Sequence, residues 1–128
     1  MARRRSATFT EVELEFMHII WEMGEVSTED VLNTLNKRGR NLSDGSIRKI
    51  LSILVAKGHV VRRRFGRSYL YRAKVERDMA QRSMVQDLLK RAFHGSISLM
   101  VAALFDRETI DEEELDEVKK LIEEHEQR

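Results

Sequence analysis

The first part of the chain carries apolar residues at helical spacing in successive segments. A capping-box pattern at Thr10 predicts a helix that runs to about Met23, and a weaker one at Ser27 predicts a second helix that stops near Gly39. The side chains that these two helices should turn inward are Phe16, Met17, Ile20, Trp21, Val31, Leu32 and Leu35.

A third segment shows the most regular stripe. Ser43 can cap its start, and Gly58 can end it. Its predicted core positions follow the i, i+3, i+4, i+7, i+8 pattern: Ile47, Ile50, Leu51, Leu54 and Val55. The opposite face combines short hydroxyl side chains with cations, namely Ser46, Arg48, Lys49 and Ser52. One side of this helix is therefore predicted to pack, and the other to stay accessible.

Two short strand-like runs flank Gly66-Arg67, and a glycine in the first position of a two-residue loop suits a type II′ hairpin. In that register Arg64 lies opposite Tyr69 and Arg62 lies opposite Tyr71, where cation–π contact is possible. We expect two residues of the other face to lie against the helices: Val61 and Leu70.

The pattern after Val75 is helical again. One amphipathic segment ends near Gly95, and the next, residues 96–105, is apolar nearly all round, so we expect it to be buried. The last segment begins with acidic residues, which the helix dipole favours in a first turn. The apolar stripes of the first and last segments are Val85, Leu88, Leu89, Ala92, Leu115, Val118, Leu121 and Ile122.

The net charge of +1 conceals two regions of opposite sign. Residues 1–74 hold 15 Lys and Arg against 8 Asp and Glu, whereas residues 75–128 hold 8 against 14. A basic region of this kind suits a polyanionic partner. The absence of cysteine excludes disulfides and thiolate metal sites and suggests the cytosol. The start of the chain lacks the apolar stretch of a signal peptide, and no apolar run approaches the roughly 20 residues of a membrane span.

Three helices followed by a basic hairpin predict a winged helix-turn-helix. The fold class is thus mainly α with a small β-hairpin wing. We expect residues 1–8 to form a basic flexible arm, residues 9–74 the winged-helix domain, and residues 75–128 a helical region. Only a helix or a thin ribbon fits the major groove of DNA, and the exposed face of the third helix has the side chains to read it. The competing interpretation is a small α+β domain whose basic face is merely solvated.

The candidate DNA-binding residues are Ser43, Ser46, Arg48, Lys49, Ser52, Arg62, Arg64 and Arg67. Arg48 could meet a guanine edge or a phosphate, whereas Lys49 suits a phosphate. Ser46 and Ser52 could touch a base or simply occupy exposed positions. Arg67 suits a phosphate or the minor groove. The arginines of the arm, residues 3–5, fit a solubilising tail better than a minor-groove contact.

The chain shows no pattern for catalysis. Its four histidines are scattered without metal-binding spacing, and no glycine-rich phosphate loop or nucleophile elbow is present. We therefore expect no enzyme activity, no cofactor and no metal.

The order and spacing of several motifs resemble the penicillinase-repressor family over about residues 9–124. The matching positions are Glu13, Phe16-Met17 and Trp21 in the first helix, Ser43 to Ile47 at the start of the third, Lys57-Gly58, the wing residues Gly66, Arg67, Tyr69 and Tyr71, and the later GSISLMVAALF run. The resemblance implies a homodimeric repressor that binds a palindromic operator, with residues 75–128 as the dimerisation domain. The residues expected to join the protomers are Val85, Leu88, Leu89, Leu99, Leu104, Leu115, Val118, Leu121 and Ile122.

Two departures from the family pattern concern the inducing signal. Copper-responsive members carry C-terminal cysteine motifs, and this chain has no cysteine. The β-lactam-responsive members are cleaved at an Asn-Phe bond, which is absent here. The sequence therefore does not choose between a protease and another signalling partner as the inducing signal. It also does not identify the operator or the regulated genes. The alternative function is a winged-helix module that binds a protein partner or binds nucleic acid without sequence preference.

Overall fold

The computed structural model describes residues 9–105 and 110–128. Its elements, in chain order, are α1 (Glu11–Met23), β1 (Glu25–Val26), α2 (Thr28–Lys37), α3 (Asp44–Ala56), β2 (Val60–Phe65), β3 (Ser68–Ala73), α4 (Arg77–Phe93), α5 (Ile97–Leu104) and α6 (Glu112–Glu126). The predicted fold class, mainly helical with a small β-hairpin wing, is confirmed. The basic arm of residues 1–8, with its three arginines, lies outside the described residues. No described helix is both long and apolar enough to cross a bilayer.

The helix starts follow the predicted capping residues. Thr10 Oγ1 accepts a 3.1 Å hydrogen bond from the Glu13 backbone N–H, and Glu13 Oε1 accepts one of 2.9 Å from the Thr10 N–H. Ser27 and Asp30 form the same reciprocal pair. Because these bonds satisfy backbone donors that lack an intrahelical partner, they set where α1 and α2 begin.

The core of the first part of the chain is built from α1, α2, α3 and the root of the sheet. Its buried side chains are Phe16, Met17, Ile19, Ile20, Val26, Val31, Leu35, Ile47, Leu51, Leu54, Val60 and Tyr71. Four predicted core residues are only partly buried and pack around this cluster: Trp21, Leu32, Ile50 and Val55. The apolar stripe of α3 therefore holds that helix to the body by one side, as predicted.

The sheet has three antiparallel strands in the order β1-β3-β2. The hairpin register is as predicted, with Arg62 opposite Tyr71 and Arg64 opposite Tyr69. The sequence did not predict β1, which pairs Val26 with Tyr71. Two residues are too few to show the alternation that identifies a strand. This short strand ties the root of the wing to the segment between α1 and α2.

The predicted faces of the wing are wrong. Val60 and Tyr71 are buried in the core, whereas Val61 and Leu70 lie on the other face and are only half-buried. The chain leaves α3 so that Val60 enters the core, and strand alternation then places Arg62 and Arg64 on that same face. These two arginines are nevertheless exposed, because they lie farther along the ribbon, beyond the buried root.

A side-chain hydrogen bond holds the chain after the wing. The indole Nε1 of Trp21 donates to the Val75 carbonyl oxygen at 2.9 Å. Fifty-four positions separate the two residues. This bond therefore attaches the segment that follows β3 to α1.

The chain folds as two compact units, and the division between them falls between Val85 and Gln86. In the second unit the expectation that residues 96–105 are buried is wrong for the single chain. No side chain of α5 is buried, and Ile97, Leu99 and Leu104 are 67%, 55% and 60% exposed. A helix that is apolar nearly all round needs cover on several sides, and the described residues of one chain do not supply it.

Candidate nucleic-acid interface

A concave surface in the first unit lies between the start of α2, the first turns of α3 and the wing. Four predicted DNA-binding residues line it together: Arg48, Ser52, Arg62 and Arg67. We call this surface the α3–wing cleft. Two tyrosines, Tyr69 and Tyr71, and two acids, Glu29 and Asp44, also line it. The fold thus brings together predicted DNA-binding residues that lie up to 19 positions apart, from Arg48 to Arg67.

The other four predicted residues do not line the cleft. Ser43 caps α3, since its Oγ accepts the Ser46 N–H at 3.2 Å and donates to the Ser46 hydroxyl at 3.0 Å. These two hydroxyls already bond to each other at the start of the helix. Lys49 is exposed on α3, and Arg64 is exposed on the wing. Both remain candidates for contacts beyond the edge of the cleft.

Arg48 has a local partner that the sequence interpretation missed. Its Nε donates a 2.7 Å hydrogen bond to Oδ2 of Asp44, one helical turn earlier. The two side chains are 66% and 54% exposed. A helical i, i+4 spacing of opposite charges is the signal that could have identified this pair.

The wing arginines differ in what they contact. The Arg62 guanidinium lies 4.4 Å from the ring centroid of Tyr69, and that of Arg64 lies 5.8 Å from the same centroid. Arg62 therefore stacks on its diagonal neighbour rather than on Tyr71, whose ring is buried. Stacking restricts the long side chain while leaving its donors accessible.

Arg63, on the opposite face of the wing, is held by a carboxylate. Its Nε and one Nη each donate to an oxygen of Glu25 at 2.9 Å. This two-point hydrogen bond lowers the pKa of Glu25. It also neutralises the Arg63 charge and links β2 to β1 across the sheet.

Several cations of α3 and the wing have no ion-pair partner among the described residues. In residues 9–105 and 110–128 no carboxylate forms an ion pair with Lys49, Arg62, Arg64 or Arg67. Unpaired cations on one surface favour an anionic partner. The part of the chain that the structure describes holds no group of three or more His, Asp or Glu side chains able to bind a metal ion.

Known proteins with similar sequences include a repressor and a regulatory protein. The penicillinase repressor of Bacillus licheniformis is 26% identical over 119 residues, which cover 93% of this chain and 92% of that protein. The methicillin resistance regulatory protein MecI of Staphylococcus aureus is 21% identical over 110 residues, 86% of this chain and 89% of that protein.

A solved structure and a family model agree with these relatives. The solution structure of the DNA binding domain of the repressor BlaI matches with a TM-score of 0.50 and 27% identity, and the match covers 56% of this chain and 85% of that domain. The family model described as penicillinase repressor matches residues 9–124, nearly the whole chain. This chain belongs to the penicillinase repressor family.

Proposed function

We propose that this protein is a dimeric transcriptional repressor that binds a palindromic operator through α3 and the wing. The observation that carries the proposal is the α3–wing cleft, where Arg48 and Ser52 of the helix face Arg62 and Arg67 of the hairpin. A helix and a basic ribbon on one surface can occupy a groove and its flanking phosphates at the same time. The family and its repressor relative support the same function.

The helix α3 would supply the sequence reading. Its apolar side is held in the core by Ile47, Leu51 and Leu54, so its polar side is held outward. Arg48 can donate to a guanine edge, and the Ser52 hydroxyl can donate to or accept from a base edge. Lys49 suits a neighbouring phosphate. Ser43 would act through the cap it makes, and Ser46 through the hydroxyl that it presents beside that cap.

The wing would supply most of the phosphate contacts. Arg62, Arg64 and Arg67 form no ion pair with any described carboxylate, so their charges are available to the DNA backbone. Each phosphate neutralised releases condensed counterions, and this makes binding strongly dependent on salt. These contacts would fix the orientation of α3 over the bases.

The second unit would join two protomers. Its exposed apolar side chains include Leu88 at 48%, Leu121 at 65% and Ile122 at 53%, beside those of α5. Exposed apolar side chains that gather into one patch mark an interaction site, and we propose that these side chains form such a patch. The full set proposed for the interface is Val85, the last residue of the first unit, together with Leu88, Leu89, Leu99, Leu104, Leu115, Val118, Leu121 and Ile122 of the second. A two-fold dimer matches a palindromic operator because each protomer meets one half-site.

In this proposal the protein performs no chemistry and acts in the cytoplasm by occupying promoter DNA. Once one winged-helix domain of the dimer binds its half-site, binding of the second domain is effectively intramolecular. Loss of the dimer therefore costs far more than half of the affinity. Any event that loosens the dimer, such as proteolysis or binding of a signalling partner, would release the operator.

A footprint on genomic fragments, including the promoter of its own gene, tests the proposal. We expect protection of one sequence with dyad symmetry, and binding that strengthens as salt is lowered. Replacement of Arg48 and Arg62 by alanine should abolish the footprint. Replacement of the paired cations Arg38 and Arg40, which contact Glu22 and Glu15, is the matched control and should preserve it. Salt-sensitive binding without sequence preference would favour a non-specific module, and no DNA binding would favour a protein partner.

A further inference from the structure

The pair of Asp44 and Arg48 is the feature of the α3–wing cleft that electrostatics alone does not explain. A carboxylate on a surface that faces DNA repels phosphates, and an exposed ion pair contributes little to stability. Yet Asp44 lines the cleft together with Arg48 and bonds to it at 2.7 Å.

The atoms that form this bond decide what Arg48 can still do. A guanidinium has five N–H donors, one on Nε and four on the terminal nitrogens. Asp44 Oδ2 takes the Nε donor, which lies on the side of the group nearest the helix. Both terminal nitrogens, at the far end of the side chain, keep their N–H donors for another partner. The bond also restricts a long side chain that is otherwise 66% exposed.

We propose that Asp44 is a positioning residue for base recognition, and that it holds Arg48 so that both terminal nitrogens meet O6 and N7 of one guanine in each half-site. This inference rests on the operator binding proposed above. It assigns Arg48 to a base rather than to a phosphate, because the Asp44 charge offsets the attraction between Arg48 and the backbone. Two donors on a planar group match the two acceptors of guanine.

The same carboxylate would weaken binding to other sequences. Affinity for non-specific DNA comes almost wholly from phosphate contacts, and a negative charge in the cleft reduces that affinity. On the operator the guanine contact compensates for this loss. Asp44 would therefore raise the ratio of specific to non-specific affinity in two ways.

The test uses the full-length protein and three kinds of labelled duplex: the protected dyad sequence, versions with each base pair changed in turn, and a scrambled duplex. Fluorescence anisotropy gives the affinity of the wild type, Asp44→Asn, Arg48→Ala and the double variant. Glu11→Gln is the matched control, since Glu11 occupies the same first-turn position in α1 and is exposed.

We expect Asp44→Asn to bind the dyad sequence about tenfold more weakly. It should bind the scrambled duplex about two- to fivefold more tightly, because one negative charge is removed. Its loss of discrimination should fall on the same base pair as that of Arg48→Ala. In the Arg48→Ala background, Asp44→Asn should cause no further loss on the dyad sequence, since a positioning residue acts only through its partner.

Two outcomes would overturn the inference: full discrimination at every base pair in Asp44→Asn, or losses that add in the double variant. Thermal melts monitored by circular dichroism show whether each variant folds. If Asp44→Asn is unfolded, Asp44→Ser, a residue type also favoured at helix starts, decides the question by the same criteria. Failure of the proposed function would be seen in the wild-type protein itself, which would then bind all three kinds of duplex with equal affinity.

Discussion

Lys57 Nζ donates a 2.7 Å hydrogen bond to Oε2 of Glu13, and this contact joins the C-terminal end of α3 to the first turn of α1. The Glu13 side chain is only 7% exposed, and its other oxygen accepts the Thr10 N–H that closes the capping box. One carboxylate therefore both starts α1 and fixes the end of the helix that we propose to read DNA.

The first prediction concerns this contact. Lys57→Met should lower the free energy of unfolding by about 1–3 kcal/mol, because a largely buried carboxylate oxygen loses its charged donor. Urea denaturation monitored by circular dichroism measures the change. Lys49→Met removes an exposed lysine of α3 that forms no ion pair with a described carboxylate, and it should alter stability far less. Equal effects from the two variants would show that the contact with Glu13 does not stabilise the fold.

The second prediction is a dependence of stability on pH. Burial raises the pKa of Glu13, but the hydrogen bonds from Lys57 and from the Thr10 backbone outweigh it, so the pKa is lowered from the ordinary value of 4.5. A lowered folded-state pKa means that the unfolded chain binds the proton more tightly. The contribution of Glu13 is thus complete above pH 4.5 and is lost as the pH falls through the folded-state pKa.

Urea midpoints measured from neutral pH downward test this sign. The wild type should lose stability once the pH drops below about 4.5, and Glu13→Gln should show a shallower loss. Part of the dependence should survive in the variant, because the pKa of Glu25 is also lowered by its hydrogen bonds from Arg63. A profile that steepens in Glu13→Gln would contradict the assignment.

A third prediction concerns Arg48. Arg48→Ala should weaken operator binding by about 1–3 kcal/mol and relax preference at one base pair in each half-site. Anisotropy titrations with single base-pair variants of the operator measure both effects. The control is Arg91→Ala, which removes an arginine with the same i, i+4 relation to an aspartate, Asp87, on α4. Unchanged base-pair selectivity in Arg48→Ala would mean that the exposed face of α3 does not read the operator sequence.

The fourth prediction compares neighbours on the wing. Arg62 stacks on Tyr69 and lines the cleft, whereas Arg63 is neutralised by Glu25 on the other face. Arg62→Ala should therefore weaken binding to all sequences alike and lower the salt slope by about 1. Arg63→Ala, which removes the same charge from the next position, should leave that slope nearly unchanged. Similar slopes for the two variants would mean that only net charge matters.

The fifth prediction addresses the second unit. Leu88→Asp or Leu121→Asp should yield monomers, because each places a charge among exposed apolar side chains that would be buried between protomers. Operator affinity should fall by about a hundredfold or more with the loss of bivalent binding. Sedimentation velocity measures the mass. Met23→Asp changes a side chain of α1 that is 50% exposed, and it should leave the dimer intact. If Leu88→Asp and Leu121→Asp both remain dimeric, the protomers do not join through these side chains.

Local signals in the sequence predicted the helices well. Thr10, Ser27 and Ser43 cap α1, α2 and α3 as expected, since capping depends on residues three positions apart. Gly66 opens the hairpin with a positive φ of 63°, as a type II′ turn requires. Sequence spacing also identified four of the residues that line the α3–wing cleft.

Features that depend on distant residues were missed. The inward face of the wing depends on how the segment after α3 places Val60, the first residue of β2, in the core. A difference of one residue would exchange the two faces. The contact of Arg63 with Glu25 spans 38 positions, which no local pattern reveals. The exposure of α5 was also unforeseen, because its composition shows that it needs cover but not that residues 9–105 and 110–128 of one chain fail to provide that cover.

The hydrogen bond from Trp21 to the Val75 carbonyl gives the first unit an internal optical reporter. The chain has one tryptophan, so its emission has a single source. The indole is partly buried against the core and is tethered to the strand exit. Detachment of that segment would expose the ring to water and shift its fluorescence to longer wavelength, without any label and without altering a residue proposed to touch DNA.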